Sequence, residues 1–167
     1  MRFMKRFKLV VAYDGTNYCG WQIQPNGITV EEVLNKTLSR FLKEEIHIIG
    51  ASRTDSGVHS FGNVAVFDSE TTIPPEKLCF ALNPQLPEDI RIVSSEQVPG
   101  DFHPRYCDTR KTYEYHIQNG KIPLPTERLY SHLVIFPLDV EAMQEAGQYL
   151  VAVSYTHLRA HETDQYL

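Results

Sequence analysis

Apolar and polar residues alternate near the N-terminus with the period of a half-buried strand. Residues 6–13 show this alternation and end in residues that favour strands, which predicts a first strand. A loop that contains Gly, Asn and Pro follows at residues 14–27. Beyond it the period changes, because apolar side chains at 30–42 recur at helical spacing. Thr29 and Glu32 have the spacing of an N-terminal capping box, so the pattern predicts an amphipathic helix that begins after Thr29.

The pattern that follows this helix predicts two strands, a second helix and a further strand. Residues 46–50 and 63–67 indicate strands on either side of a polar segment. Prolines within 74–78 mark the start of a helix, which should end near Asn83 because another proline comes next. Residues 90–98 supply the fourth strand. The order β-α-β-β-α-β predicts an α+β fold: a ferredoxin-like unit with an antiparallel sheet and both helices on one face.

A second, incomplete α+β unit is predicted to begin near Phe102. Residues 111–117 carry aromatic side chains at every second position, as a half-buried strand does. Residues 129–136 indicate another strand, and residues 139–152 indicate a helix capped by Asp139. Only half of a second split unit is present, and we expect it to extend the first sheet.

These patterns divide the chain into three parts. Residues 1–101 form an N-terminal ferredoxin-like domain, which carries the loop that contains Asp55. Residues 102–152 form a partial second domain. Residues 153–167 show no clean apolar stripe, and we interpret them as a non-native tail.

The composition predicts a folded protein whose attraction for anions is local. The 167 residues are 42% apolar, which is enough for a core. A formal net charge of −5 argues against a uniformly basic nucleic-acid surface. Two basic clusters stand out, although each could be no more than a solvated surface. They comprise Arg2, Lys5, Arg6 and Lys8 near the N-terminus, and His103, Arg105, Arg110 and Lys111 around Asp108.

The cysteines indicate a reduced, cytoplasmic protein. Cys19, Cys79 and Cys107 are odd in number, widely spaced and without a C-x-x-C pair, so neither a disulfide framework nor a zinc knuckle is indicated. No segment approaches the roughly 20 apolar residues needed to span a bilayer. We therefore expect no metal and no membrane association.

The segment at residues 53–59 is the strongest candidate for a functional site. It reads Arg-Thr-Asp-Ser-Gly-Val-His and places Asp55 two residues after Arg53 and just before two turn-forming residues. It also connects two predicted strands, and loops held by a rigid sheet often carry chemistry. Asp55 could instead be a turn residue, because Asp-Ser-Gly stabilises tight turns through side-chain hydrogen bonds. The residues alone leave both interpretations open.

Several blocks of the sequence resemble those of one enzyme family. Residues 13–22, which read Tyr-Asp-Gly-Thr-Asn-Tyr-Cys-Gly-Trp-Gln, resemble the opening signature of the tRNA pseudouridine synthase A, or TruA, family. Residues 50–59 resemble the catalytic motif of that family. The later blocks follow in the order of the family at 81–90, 102–106 and 111–115.

The resemblance, which extends from about residue 7 to residue 152, implies an activity and its catalytic group. The activity is isomerisation of uridine to pseudouridine in the anticodon stem-loop of tRNA, without a metal or an organic cofactor. The match makes Asp55 the catalytic carboxylate, and it makes residues 102–152 part of the catalytic domain.

The resemblance also implies residues that bind the substrate. Arg53 would stack or wedge where the flipped nucleotide leaves the helix, and Tyr113 would stack on the target base. Tyr115 shares a face with Tyr113 and is the better candidate for a core aromatic. The partners implied are tRNA and a second copy of the chain in a homodimer. The residues expected to contact phosphates are Arg105, Arg110 and Lys111.

The C-terminal part departs from the pattern of the family. After Ala152 the family continues with a glycine, a His-Asp-Phe block and strands that bear an arginine partner for the catalytic aspartate. Residues 153–167 instead resemble a translated sequencing adapter or assembly artefact. We therefore expect the chain to be truncated after about residue 152, and the sequence leaves open whether this fragment is active or dimeric.

Two other functions fit parts of the sequence. A non-catalytic RNA-binding module can be built on the same β-α-β-β-α-β unit. A hydrolase could use Asp55 with a loop histidine, but the sequence shows neither a nucleophile elbow nor a paired second carboxylate.

Overall fold

The computed structural model describes residues 3–107 and 110–152. Parts of the sequence interpretation fall outside these residues, namely Arg2 and Asp108 in the basic clusters and the tail at 153–167. The chain forms two compact units, Met1–Lys111 and Thr112–Leu167. The division of the protein into domains at 1–101, 102–152 and 153–167 stays a prediction.

The first unit is built on a four-stranded antiparallel sheet. Its strands are β1 (Lys5–Tyr13), β2 (Ile49–Gly50), β3 (Ser60–Ser69) and β4 (Ile90–Val98). They lie in the order β2-β3-β1-β4, and each neighbouring pair is antiparallel. This is the strand order of a split β-α-β-β-α-β unit. The predicted α+β fold with an antiparallel sheet is therefore confirmed.

The period-two pattern of β1 places one face of the sheet in the core. Phe7, Leu9 and Val11 are fully buried, whereas the residues between them are only partly buried. On β3, Ala65 pairs with Leu9, and the ring of Phe67 stacks on Phe7 with the centroids 5.4 Å apart. Burial of each large apolar side chain contributes about 1.5–3 kcal/mol. A shift by one residue would expose this face, so the core fixes the register and the points where the loops leave the sheet.

Two helices contribute to the same core. Helix α1 spans Val30–Leu42, and its N-cap is Thr29, whose hydroxyl oxygen accepts from the Glu32 N–H over 3.3 Å, as the capping pattern predicts. Helix α2 is short, at Leu78–Leu82, and lies between two 3₁₀ turns that contain prolines. The buried apolar side chains of the two helices are Val30, Leu34, Leu38, Leu78, Cys79 and Leu82.

The second unit is small and mixed. Strands β5 (Ile117–Asn119) and β6 (His132–Val134) form a parallel pair, and helix α3 follows at Val140–Ala152. The predicted cap of α3 is confirmed, because Asp139 Oδ1 accepts from the Ala142 N–H over 2.9 Å. None of the described helices has the length and apolar character needed to cross a membrane.

The segment before β5 differs from the sequence prediction. The alternation at 111–117 predicts a strand, yet within this segment only Ile117 lies in one. An alternating pattern forms a strand when a neighbouring strand pairs with it, and within the described residues no strand pairs with 111–116. The β5–β6 pair is accordingly a separate two-stranded sheet, so the described pairing does not show the expected extension of the first sheet.

Candidate active site

Two loops leave the sheet of the first unit at the same end. The first loop, residues 14–29, follows β1, and the Asp55 loop, residues 51–59, connects β2 to β3. Strands β1 and β3 are antiparallel, and Tyr13 pairs with Ser60, so the end of one strand lies beside the start of the other. The sheet thus brings together the two segments that carry the most distinctive sequence motifs.

Backbone hydrogen bonds join the two loops along their length. The Trp21 N–H donates to the Thr54 carbonyl oxygen over 3.0 Å, and the Gly57 N–H donates to the Tyr18 carbonyl oxygen over 3.2 Å. The Ser56 hydroxyl donates to the same Tyr18 oxygen over 3.2 Å. The first loop therefore satisfies the Thr54 carbonyl oxygen and the Gly57 N–H, which fixes the path of the Asp55 loop on either side of Asp55.

Two glycines of the first loop permit this close approach. A Cβ at Gly20 would lie 2.4 Å from the Thr54 carbonyl oxygen, and the backbone there has a φ of 81°. A Cβ at Gly15 would lie 2.1 Å from the Val58 carbonyl oxygen. Any side chain at these positions would push the two backbones apart.

Thr54 is held from two sides at the centre of the Asp55 loop. Its carbonyl oxygen bonds to the first loop, and its Oγ1 lies 2.8 Å from the Tyr13 hydroxyl oxygen. Burial raises the pKa of the Tyr13 phenol, so this hydroxyl stays protonated at neutral pH. The residues on either side of Thr54 are Arg53 and Asp55, and both are exposed. The fold therefore anchors Thr54, the middle residue of Arg-Thr-Asp, and leaves its two charged neighbours exposed to solvent.

Asp55 is the first residue of a tight turn. The Val58 N–H donates to the Asp55 carbonyl oxygen over 3.2 Å, and Gly57 has the positive φ, 80°, that such a turn requires. The turn interpretation of Asp55 assigns its carboxylate to nearby backbone N–H groups. Among the described residues, no hydrogen bond or ion pair occupies that carboxylate. The turn is made by backbone and glycine, which leaves the side chain of Asp55 for another use.

Arg105 lies at the base of the Asp55 loop. Its Nε donates to the Gly50 carbonyl oxygen over 2.8 Å, immediately before the loop begins at Ala51. The preceding chain is tied to the sheet, since Arg6 Nη1 donates to the Phe102 carbonyl oxygen over 3.1 Å. Arg105 is exposed as a whole, so the remainder of its guanidinium faces solvent beside the loop. The structure brings Arg53, Asp55 and Arg105 to one region.

The other predicted site residues lie further along the chain. Arg110 and Lys111 are exposed at the C-terminal end of the first unit. Tyr113 belongs to the second unit and is 65% exposed. Tyr115, the candidate core aromatic, is 91% exposed, so its assignment to the core is wrong. The 111–116 segment contributes no buried face for it to join.

A third sequence block is bonded to the first loop. Tyr18 donates from its hydroxyl to Asp89 Oδ1 over 2.6 Å, and the Asp14 N–H donates to the Asp89 carbonyl oxygen over 2.9 Å. Burial and the adjacent carboxylate raise the pKa of the Tyr18 phenol, which keeps it a donor. The residues at 13–22, 50–59 and 81–90 therefore converge on one end of the sheet.

Sequence reasoning missed two polar residues that complete this site. His59 Nδ1 lies 3.1 Å from the Gly15 nitrogen and 3.0 Å from Asp14 Oδ1. Asp14 lies within the motif at 13–22 and His59 within the motif at 53–59. Their location in these motifs was the only sequence signal for either residue. Their proximity is visible only after the sheet has paired β1 with β3.

The described residues contain no group of three or more His, Cys, Asp or Glu side chains that could hold a metal ion. The exposed charged groups of the site are the carboxylate of Asp55 and the guanidinium groups of Arg53 and Arg105, whereas the carboxylate of Asp14 is bonded to Thr16 and lies beside His59. This set can attract an anionic partner and can offer it one oxygen nucleophile or base.

Residues 9–107 match a family model described as tRNA pseudouridine synthase. The chain belongs to this family. The matched segment contains Asp55, Arg53 and Arg105, whereas Arg110, Lys111 and Tyr113 lie beyond it. The convergence of the motifs at one end of the sheet is thus a property of the part that defines the family.

Curated relatives agree with this assignment. The chain is 49% identical over 148 residues to the tRNA pseudouridine synthase A of Thermoanaerobacter sp. (strain X514), which covers 89% of this chain and 61% of the relative. It is 47% identical to the tRNA pseudouridine synthase A 2 of Clostridium perfringens, with the same coverage of both chains. With the tRNA pseudouridine synthase A of Geobacter sulfurreducens it shares 43% identity over 147 residues, 88% of this chain and 60% of the relative. The chain thus spans about three fifths of the length of these relatives.

Proposed function

We propose that the protein isomerises uridine to pseudouridine in tRNA, with Asp55 as the catalytic carboxylate. The observation that carries this proposal is that the turn at Asp55 forms without the carboxylate of Asp55. Backbone groups and Gly57 make the turn, while the exposed carboxylate has no partner among the described residues. Membership in the tRNA pseudouridine synthase family supplies the reaction that such a carboxylate serves.

The reaction needs no co-reactant, because substrate and product are isomers. The bond between C1′ of the ribose and N1 of uracil breaks, the base turns, and C5 bonds to C1′. The proton on C5 leaves, and N1 gains one, so atoms and charges balance. An ionised carboxylate beside the sugar can act as nucleophile or as base in these steps.

Arg53 and Tyr113 are proposed to hold the extruded nucleotide. A planar guanidinium two residues from the carboxylate can stack where a base has left the helix. Tyr113 is 65% exposed in the second unit, and we assign it to stacking on the target base. Such stacking is worth about 1–3 kcal/mol per base.

Arg105, Arg110 and Lys111 are proposed to contact phosphates. Arg105 uses Nε to bind the Gly50 carbonyl oxygen, which leaves its two terminal nitrogens for an anion. Arg110 and Lys111 are exposed and adjacent in the chain. Contacts of this kind position a nucleic acid without reading its sequence.

We further propose that the target uridines lie in the anticodon stem-loop and that the full-length protein acts as a cytoplasmic homodimer with tRNA across both subunits. The support is the resemblance of the motifs at 13–22 and 50–59 to those of the TruA family, while the name of the Thermoanaerobacter relative supports tRNA as the substrate. Size-exclusion chromatography with light scattering, with and without tRNA, tests the dimer. A monomer in both conditions would contradict it.

Tritium release from tRNA labelled with [5-³H]uridine tests the proposed reaction. Two proteins are assayed: this chain, and a chimera in which residues 1–152 continue into the remaining segment of the Thermoanaerobacter relative. The variant Asp55→Asn keeps the shape of the side chain and removes its charge, and we expect it to abolish release. The control is Asp101→Asn, because Asp101 is an exposed carboxylate outside the Asp55 loop.

Analysis of the digested tRNA separates the competing functions. Pseudouridine in the product supports the isomerase, whereas free uracil would indicate a hydrolase. Retention of tRNA by both proteins without tritium release would favour a non-catalytic RNA-binding module. Release that persists in Asp55→Asn would remove Asp55 from the mechanism.

A further inference from the structure

His59 ends the Asp55 loop and is bonded back to the start of the first loop. Its Nδ1 lies 3.1 Å from the Gly15 nitrogen and 3.0 Å from Asp14 Oδ1. The side chains of His59 and Asp14 are 31% and 29% exposed, so both are largely covered. The reaction proposed above does not use either residue.

Asp14 is itself held in place. Its Oδ1 accepts from the Thr16 N–H over 3.0 Å and from the Thr16 hydroxyl over 2.6 Å. Its own N–H donates to the Asp89 carbonyl oxygen over 2.9 Å. His59 is therefore attached to a point on the first loop that is fixed by its own turn and by the neighbouring connection.

The two contacts of Nδ1 require different protonation at that atom. A lone pair on Nδ1 accepts from the Gly15 N–H, whereas a proton on Nδ1 donates to Asp14. In either state the same nitrogen ties the imidazole to the first loop. The chemistry needed for these contacts is one hydrogen-bonding atom at the place of Nδ1.

We propose that His59 and Asp14 are positioning residues that fix where the Asp55 turn ends, a role that rests on the proposed function of Asp55. Thr54 is anchored one residue before Asp55, and His59 is anchored four residues after it. The exposed carboxylate is held by its backbone alone, so its placement depends on these two anchors together with the bonds from Ser56 and Gly57 to the Tyr18 carbonyl oxygen. A misplacement of about 1 Å near a reacting group costs on the order of 100-fold in rate.

Two substitutions of His59 separate this role from a catalytic one. Asn places an amide atom close to the position of Nδ1, whereas Gln places it close to Nε2. Positioning through Nδ1 requires His59→Asn to retain most of the function and His59→Gln to lose it. General acid or base catalysis by the imidazole would be lost in both variants, because an amide does not titrate.

Steady-state kinetics on this chain and on the chimera provide the first test. For His59→Gln we expect kcat to fall about 10- to 100-fold with KM within about threefold, and for His59→Asn we expect both constants within about fivefold of the parent. The matched control is His47→Gln, because His47 is 76% exposed and lies outside both loops. Equal losses in His59→Asn and His59→Gln would overturn the proposal.

Hydrogen exchange on this chain provides a readout that does not depend on catalysis. The Gly57 N–H, bonded to the Tyr18 carbonyl oxygen, reports the path of the Asp55 turn. We expect it to exchange at least tenfold faster in His59→Gln than in His59→Asn, with amides of the central strand β1 unchanged. The same rate in both variants would contradict the positioning role of His59. A change across β1 would mean that His59 supports the whole fold instead.

The two tests distinguish failure of the proposed positioning role of His59 from failure of the proposed function of the protein. A parent protein and chimera that form no pseudouridine overturn the function and with it the catalytic importance of His59, while hydrogen exchange still decides whether His59 holds the loop. If the parent is active and the His59→Asn and His59→Gln variants behave alike, the positioning role is overturned. The proposed isomerase function is then unaffected.

Discussion

Gly50 and Trp21 lie so close together that position 50 has no room for a side chain. A Cβ there would be 2.4 Å from the indole Nε1 of Trp21, which is 1% exposed. The carbonyl oxygen of the same glycine accepts from Arg105. Gly50 therefore joins the buried anchor of the first loop to a cation beside the Asp55 loop.

Gly50→Ala is expected to destabilise the first unit. The added methyl must displace a buried indole, and overpacking of this kind costs about 1–3 kcal/mol. Urea unfolding followed by tryptophan fluorescence measures the change, since Trp21 is the single tryptophan of the chain. Gly100→Ala is the control, because a Cβ there meets nothing within 4 Å. Equal stability of the two variants would show that Trp21 is not held by this contact.

Thr54→Val is expected to weaken the anchor of the Asp55 loop. Valine has nearly the shape of threonine but lacks the hydroxyl that lies 2.8 Å from the Tyr13 oxygen. Loss of one partly buried hydrogen bond costs about 0.5–1.5 kcal/mol in the free energy of unfolding. We also expect a lower rate of tritium release, because Asp55 is the next residue.

Thr54→Ser serves as the control for this prediction, because it keeps the hydroxyl and removes a methyl. It should retain more activity than Thr54→Val, although it loses more apolar contact. The reverse order would show that the methyl of Thr54, and not its hydroxyl, holds the loop.

Stability is expected to fall at alkaline pH through Tyr18. Burial and the neighbouring Asp89 carboxylate raise the pKa of this phenol above its ordinary value of 10.0 in the folded protein. A raised pKa means that the folded state keeps a proton which the unfolded state loses, so the contribution is complete below about pH 10 and declines above it. The free energy of unfolding, measured from pH 8 to 11, should therefore fall on the alkaline side.

Tyr18→Phe isolates this contribution. The variant lacks the hydrogen bond to Asp89 and should be less stable at pH 8, but its stability should decline less steeply above pH 10. Parallel curves for the two proteins would show that Tyr18 does not govern the alkaline decline.

Removal of Arg110 or Lys111 is expected to weaken tRNA binding in a salt-dependent way. If each residue contacts a phosphate, Arg110→Gln or Lys111→Gln should reduce the slope of log affinity against log salt by about 0.7–0.9. Filter binding between 50 and 300 mM salt measures the slope. Lys36→Gln is the matched control, because Lys36 lies on α1 in an ion pair with Glu32. An equal change in the control would point to net charge and not to local contacts.

Local patterns predicted most of the first unit. The alternation at 6–13, the cap at Thr29 and the prolines near 75 and 84 each express a preference of a few neighbouring residues, and the corresponding elements are present. The prediction was wrong at 111–116, where the pattern is as regular but no strand pairs with it. A strand needs a partner that its own sequence does not contain.

The candidate site was predicted in part. Asp55 and Arg53 stood out because they lie in a short polar segment between two strands, and a motif of adjacent residues can be read directly. Asp14 and His59 did not stand out as a pair, because nothing local relates residues so far apart. The role of Arg105 at the Asp55 loop was hidden for the same reason.

In the first unit the sequence by itself determined the order of the elements, the faces they bury and the position of the turn at Asp55, since these follow from periodicity and from the residues that favour caps and turns. Only the tertiary structure decided that the carboxylate of Asp55 is left out of that turn. It also decided that His59 bonds to a residue 44 positions away and Arg105 to one 55 positions away. These contacts arise because antiparallel pairing of β1 with β3 brings distant segments to one end of the sheet, and no local preference encodes that distance.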